Sequence, residues 1–526
     1  MTETVNKSRE PWVSDQGDGT YRNPVLHADY SDPDVIRVGD DFYMTASSFG
    51  HLPGLPILHS KDLVNWTLIN HVIREMPLPG YDHPQHGNGV WAPSLRYHAG
   101  KYWVFYGDPD VGIFMSTADD PAGEWTPLHL LQEGKGLIDT CPFWDEDGKA
   151  YLVHAFANSR CGIKHKLRLC AMAPDGSRLL DEGQIIFDGT EGHPTMEGPK
   201  MYKRNGYYYI FAPAGGVKPG WQTVLRSEAV YGPYEDRIVL HQGDSVVNGP
   251  HQGGLVELES GESWFMHFQD KGAYGRIVHL QPVVWQDDWP FMGIDTNGDG
   301  IGEPVIQYPK PKVRVNSPIA VPAASDEFNG SLLGKQWQWQ ANPDHRWYEL
   351  GAHESHLRLH SLPIPACSRT LFDVPQLLLQ KLPAEQFDMT VKLSCSELKK
   401  GDAAGLVMFG FAFAYLSVCR EEEGGLSLHY TEGDQEAERC ISSHKLNTST
   451  VWLRVSVRLE ASCVFAYSED GKLYRPIDSP PFIARESRWV GAKAGIFALH
   501  RGEQGQGGYI DADWFRVSAP EEVLGQ

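Results

Sequence analysis

Five segments of this chain repeat one pattern in phase, and that repetition limits the folds open to it more than any other feature. Aligned on a turn glycine, they are "SDPDVIRVGDDFYMTA" around Gly39, "WAPSLRYHAGKYWVFY" around Gly100, "TCPFWDEDGKAYLVHA" around Gly148, "EGPKMYKRNGYYYIFA" around Gly206 and "HQGGLVELESGESWFMHF" around Gly261. Each reads as a short strand, a tight turn and an aromatic-rich second strand, which is the pattern of a β-hairpin. A proline precedes the glycine by six or seven residues in four copies (Pro33, Pro93, Pro142, Pro199), and Gly253 or Gly254 takes its place in the fifth. The copies stand roughly 50 to 60 residues apart, the period of propeller blades. Five four-stranded blades would use residues from about 20 to about 310.

In such a ring the residues just before each proline are equivalent and face the central channel. Asp32, Ala92 and Cys141 then stand immediately before their prolines, Glu197 two before Pro199, and Asp139 three before Pro142. Three blades thus aim a carboxylate at one small volume. Taken singly, an Asp before Pro is an ordinary turn starter, and "EGP" an ordinary surface turn. In equivalent blade positions they read as a converging set that does chemistry.

At 526 residues the chain exceeds one ordinary core, so a second domain is expected. Short aromatic and β-branched runs separated by Gly, Pro and Asp predict an all-β protein. A formal charge of −22 argues against nucleic acid and anionic membrane surfaces as partners and suits a neutral ligand such as a sugar. No run of 18 apolar residues appears, and "MTETVNKSREPWVSDQGDGT" lacks the apolar stretch of a secretory signal. The eight cysteines (141, 161, 170, 367, 395, 419, 440, 463) form no CxxC pair and read as free thiols of a reducing compartment. The expectation is a cytoplasmic protein whose partner is a small oligosaccharide, with homo-oligomerisation left open.

The stretches "NPVLHADYSDPDVIRVGDDFYM", "PGLPILHSKDLVNW", "GVWAPSLRYHAGKYWVFY", "GLIDTCPFWDEDGKAYLV", "MEGPKMYKRNGYYYIF" and "GRIVHLQPVVWQDDWP" together resemble glycoside hydrolase family 43. The resemblance is strongest to its two-domain β-xylosidases and α-L-arabinofuranosidases, and it implies a five-bladed β-propeller followed by a β-sandwich. It implies Asp32 in "SDPD" as general base, Glu197 in "MEGPK" as general acid, and Asp139 in "IDTCPF" as the acid that tunes and holds Glu197. The Thr-Cys of "IDTCPF" departs from the small residues of other members, which leaves the pocket floor open. His251 in "GPHQGG" matches a histidine beneath the pocket that in many members approaches a cation through water. Arg276 in "GRIVHLQP" matches the arginine of the terminal sugar subsite, and Phe49 and Trp91 match aromatic walls.

Glycoside hydrolysis needs a proton for the departing oxygen and a nucleophile at the anomeric carbon. A carboxyl donates at neutral pH only when a neighbouring carboxylate or an apolar wall raises its pKa, and Asp139 is expected to do this for Glu197. The resemblance further implies inversion of configuration, with working carboxyls roughly 6.5–9.5 Å apart. Exo action on a terminal pentose, β-D-xylose or α-L-arabinofuranose, is the leading expectation. A retaining fructosidase-like hydrolase lacks its "NDPN" and "EC" elements here. A sugar-binding propeller without catalysis has against it the presence of all three acids.

The stretch "DTNGDGIGE" offers Asp295, Asn297 and Asp299 at alternate positions with a turn at Gly300, the opening of an EF-hand-like calcium loop. The twelfth-position Glu is missing, with Ile306 there and Glu303 as a substitute, and an Asp/Gly surface turn is the competing reading. A structural calcium ion is thus the candidate cofactor; the chemistry itself requires none. The Pro-rich "YPKPKVRVNSPIAVPAASDEF" marks a linker at 309–324, between a propeller over 21–308 (after an arm at 1–20) and a sandwich of about ten strands over 325–526. Asp326, Asp511 and Asp513 at strand ends there are candidates for a shared cation, and salt-bridged strand ends are the competing reading. The resemblance also implies that this domain lends a loop to the pocket rim, without saying which.

Overall fold

The five repeats become five four-stranded antiparallel sheets, each with its strands in chain order, arranged as a propeller. The structure is a computed structural model and describes residues 10–315, 317–353, 355–422, 424–502 and 507–520. The innermost strands are Asp34–Val38, Trp91–His98, Leu137–Trp144, Lys200–Arg204 and His251–Glu257. The turn glycines of the repeats all take φ between 63° and 84°, a backbone conformation that a Cβ makes costly. Closure comes from Thr20–Arg22 pairing with Gln307–Pro309 and from Leu26 bridging Val278.

One irregularity places the functional side chains. Each blade carries a residue of positive φ at the entry of its inner strand: Asp32 (54°), Ala92 (38°), Asp139 (58°), Gly198 (59°) and Gln252 (40°). Strand register slips there in three blades, between Trp91 and Ser94, Ile138 and Cys141, and His251 and Gly253. A bulge of this kind re-aims the side chain at the strand end, and the left-handed backbone stores on the order of 1 kcal/mol or more at a non-glycine residue.

This corrects the alignment on prolines. Pro33, Pro93 and Pro199 follow the positive-φ residue directly, but Pro142 follows it by three. Asp139, not Cys141, is therefore the counterpart of Asp32, and Glu197 precedes its blade's positive-φ position, Gly198.

Two residues beyond the bulge, a buried polar layer ties the blades together below the channel mouth. Asp34 accepts from Arg96 Nη1 at 2.6 Å and Leu95 N at 2.9 Å. Lys200 Nζ donates to Pro93 O at 2.9 Å and Ser94 Oγ at 2.8 Å, and Ser94 Oγ donates to Thr140 O at 2.6 Å. Cys141 Sγ accepts from Arg96 Nη2 at 2.9 Å and Met201 N at 3.3 Å. The buried groups are thus paired, as burial demands, and they hold the bulges in one plane.

The C-terminal part is a sandwich of an eight-stranded and a seven-stranded sheet, more strands than the sequence pattern suggested. Its core takes in Tyr274 and Ile277 from the propeller, so the two domains share one apolar cluster. The Tyr274 hydroxyl accepts from Ala461 N at 2.8 Å and donates to Glu385 O at 2.9 Å. The Pro-rich connection is docked as well: Lys310 Nζ reaches Asp15 at 2.6 Å and Asp62 at 2.8 Å. All eight cysteines are free thiols.

Candidate active site

A cavity of about 240 Å³ opens at the end of the propeller axis where the bulges gather. It is lined by Asp32, Asp139 and Glu197, by Phe49 and Trp91, and by Arg276. A cavity this size lies below the range typical of drug-sized ligands and suits a single monosaccharide. Trp489, from the loop before the sandwich strand Lys493–His500, completes the wall. Its ring meets Trp91 edge-on with centroids 6.0 Å apart, and Trp91 in turn meets Phe49 at 6.2 Å.

The three acids sit in different surroundings. Asp32 is 5% exposed, and its Oδ2 accepts from Ser47 Oγ at 2.6 Å and Ser31 Oγ at 2.7 Å. Arg276 Nη1 lies 3.2 Å from Asp32 Oδ1 and donates to Ser31 Oγ at 2.7 Å, so the guanidinium predicted for the sugar subsite is anchored on the first acid. Ser31 is the first residue of "SDPD", beside the acid it serves, whereas Ser47 carries no motif that would have announced it.

Asp139 is 3% exposed, and its Oδ2 accepts from Gly198 N at 2.8 Å. Burial pushes its carboxyl well above the usual aspartate range, and the negative charges of Glu197 and then Asp32 push it further. The side chain of Glu197 is 27% exposed and accepts at Oε1 from His251 Nε2, 2.9 Å away. The like charge predicted between these two acids is present, and it adds to the upward push on Asp139. His251 itself is fully buried.

His251 thus contacts an acid directly through Nε2, and the cation that the resemblance implies, reached through water, would fall to its other ring nitrogen. Its Nδ1 meets no protein partner, nor do Gln252 Nε2 and Thr140 Oγ1, on the residues that directly follow His251 and Asp139 in the chain. Orphaned buried polar atoms of this kind are completed by water or by a hydrated ion. Direct ligation is another matter: among the described residues no group of three His, Cys, Asp or Glu side chains is placed to hold a metal.

In the EF-hand-like stretch the acidic and amide oxygens meet backbone amides of the same loop. Asp295 accepts from Gly298 N at 2.6 Å and Gly300 N at 3.0 Å, Asn297 from Asp299 N at 3.0 Å, and Asp299 from Ile301 N at 2.8 Å. Glu303 accepts from Thr296 Oγ1 at 2.5 Å and from Asp244 N at 3.1 Å. These oxygens face the turn's own backbone donors, as in an Asp/Asn turn. In the sandwich, Asp511 pairs with Arg358 at 2.8 Å and Asp513 with Lys392 at 2.6 Å, while Asp326 caps Phe328 N at 2.8 Å. Two of these three acids thus follow the salt-bridged reading, and Asp326 meets the amides of its own turn.

A propeller whose axial cavity gathers three carboxylates and an arginine between aromatic walls, beside a docked β-sandwich, defines a glycoside hydrolase. Sequence comparison agrees: residues 21–290 match the profile of glycosyl hydrolases family 43, and residues 325–518 that of the β-xylosidase C-terminal concanavalin A-like domain. The chain belongs to glycoside hydrolase family 43, in its exo-acting β-xylosidase/arabinofuranosidase group. It is 42% identical to a putative β-xylosidase of Xylanibacter ruminicola over 91% of this chain and 86% of that one. It is 30% identical to a non-reducing end α-L-arabinofuranosidase of Bacteroides ovatus over 74% of this chain and 73% of that one. Among solved structures, the xylan β-1,4-xylosidase of Bacillus halodurans superposes with a TM-score of 0.83 at 25% identity, covering 94% of this chain and 99% of that one.

Burial of Asp139 has a measurable cost. A carboxyl whose folded pKa is raised binds a proton that the unfolded chain, with an ordinary aspartate near 3.8, has already released. Stability therefore falls as pH rises above about 4 and stays low beyond the raised value. Asp139→Asn keeps an acceptor for Gly198 N and removes the charge. The variant is expected to be ~1–2 kcal/mol more stable than wild type at neutral pH, the gap closing toward about pH 4. Thermal unfolding across that range checks it; a variant no more stable at neutral pH contradicts the account.

Proposed function

We propose that the protein is an inverting exo-glycosidase that removes terminal β-D-xylosyl residues, α-L-arabinofuranosyl residues or both from hemicellulose-derived oligosaccharides. The observation that carries this reading is the meeting of Asp32, Asp139 and Glu197 in one monosaccharide-sized cavity closed by Trp489. The names of the relatives support the sugars: xylose for the Xylanibacter ruminicola protein and arabinofuranose for the Bacteroides ovatus one.

Asp32 is the general base. Two hydroxyls and a guanidinium fix its carboxylate, leaving it poised to take a proton from a water on one face of the sugar. Glu197 is the general acid and protonates the departing oxygen. Asp139 holds Gly198, next to Glu197, and supplies the like charge by which the two acids share one proton. Glu197, the more exposed of the pair, is the one placed to reach the departing oxygen. Arg276 holds Asp32 and reaches the sugar, while Phe49, Trp91 and Trp489 exclude water around it. A hydrated calcium ion on the axis would be held through water by His251 Nδ1 and would stiffen the cavity floor.

The deciding experiment assays nitrophenyl β-D-xyloside and α-L-arabinofuranoside and follows the first-formed anomer by NMR. Release of α-xylose from a β-xyloside is expected. Turnover of neither pentoside defeats the assignment of sugar, and a first product of retained configuration defeats the roles given to Asp32 and Glu197.

A further inference from the structure

Asp29 lies three residues before Asp32, is 4% exposed, and takes no part in the chemistry above. Its two oxygens face two backbone N–H groups from different domains. Oδ1 accepts from Arg276 N at 2.9 Å, and Oδ2 accepts from Gly491 N at 2.9 Å. The first donor opens the propeller strand whose arginine grips Asp32. The second closes the sandwich loop that carries Trp489.

The three backbones are pressed together around this carboxylate. A Cβ on Gly275 would stand 2.5 Å from Asp29 Cγ, and a Cβ on Gly491 would stand 2.5 Å from Gly275 N. Ala492 N donates to Ala273 O at 2.7 Å just beyond, next to Tyr274, which enters the sandwich core. Trp489 itself has a φ of 65°, unfavourable for a bulky residue, and such a backbone persists only when its surroundings hold it. Trp489 is 44% exposed and its turn is closed by Ser487 N donating to Val490 O at 2.8 Å, so what remains to be held is the placement of that turn against the propeller.

We infer that Asp29 is a positioning residue: by clamping Arg276 N and Gly491 N at once, it sets Trp489 against the mouth of the cavity and fixes the width of the sugar pocket. The aperture is thus a property of the docked domain pair and not of the propeller alone. This rests on the reading of the cavity as a sugar site. A bifurcated carboxylate is required because an amide at the same place accepts through only one oxygen and turns an N–H toward the other donor.

The test compares D29N, W489A and the double variant with wild type on nitrophenyl β-D-xyloside. D29N is expected to raise KM about tenfold with kcat within about threefold, since Arg276 still grips Asp32. W489A is expected to give a similar rise, and the double variant to be no worse than the poorer single one, because both remove the same wall. Multiplying effects in the double variant, or an unchanged KM in a D29N protein that has lost only thermal stability, overturns the proposal. Should D29N not fold, G491A decides: its Cβ pushes the loop from Gly275 while leaving the acids untouched, and a wild-type KM in that variant also overturns it. Inactivity of wild type on all pentosides sinks the sugar reading separately. In that event hydrogen exchange in residues 487–492, expected to speed up at least tenfold in D29N or G491A over wild type, still tests the clamp.

Discussion

Glu197→Gln is expected to lower kcat/KM on xylobiose by about 10³-fold, the upper part of the range for a general acid. The same change should cost only about tenfold or less on a dinitrophenyl xyloside, whose leaving group departs without protonation. Glutamine keeps the side-chain length and an oxygen for His251 Nε2, now 2.9 Å from Glu197 Oε1, so the pocket should keep its shape and KM should change little. The dependence on leaving group separates a lost proton donor from a distorted site, since distortion penalises both substrates alike. Equal losses on the two substrates would remove Glu197 from the acid role. Asp139, buried and hydrogen-bonded to Gly198 N, would then be the next carboxyl to examine.

The propeller was legible because its evidence is redundant. Five in-phase hairpins give five independent chances to see one period, and each turn glycine marks a position that a Cβ disfavours. Asp32, Asp139 and Glu197 were legible for the same reason, as polar residues recurring where a strand begins. The inner register was not. Proline alignment put Cys141 at the equivalent place, because a bulge adds residues without changing the local pattern, and only strand pairing shows that Asp139 bears the strained φ.

Trp489 was hidden more deeply. Nothing in "SRWVG" distinguishes a pocket wall from a surface turn, and its meeting with Trp91 depends on docking two domains through Tyr274. Asp29 shares this fate, since both its partners are backbone amides far away in the chain. The excess of sandwich strands has a similar cause: pairs as short as Leu362–Pro363 and Phe482–Ile483 exist because longer neighbours offer them an edge, and two residues carry no period. The alternating oxygens of Asp295, Asn297 and Asp299 were visible, but pattern alone does not say whether they face a cation or the N–H groups of their own turn.

Asp32→Asn is expected to be at least as damaging as the Glu197 change, with kcat about 10³–10⁴-fold lower, and to differ from it in kind. A lost base leaves the attacking water with its proton whatever the leaving group, so xylobiose and the dinitrophenyl xyloside should suffer equally. The geometry permits the test without collapse of the site. The Ser31 and Ser47 hydroxyls, now donating at 2.7 Å and 2.6 Å, can rotate to accept from an amide, and Arg276 keeps its bond to Ser31 Oγ at 2.7 Å. KM should therefore rise only a few-fold, reflecting the loss of one charge beside the guanidinium. Measuring kcat and KM on both substrates for both variants gives four ratios. An acid and a base on opposite faces predict a leaving-group effect in one variant and none in the other. The same leaving-group effect in both variants would mean that Asp32 and Glu197 act on one side of the sugar, and the inverting arrangement would have to be abandoned.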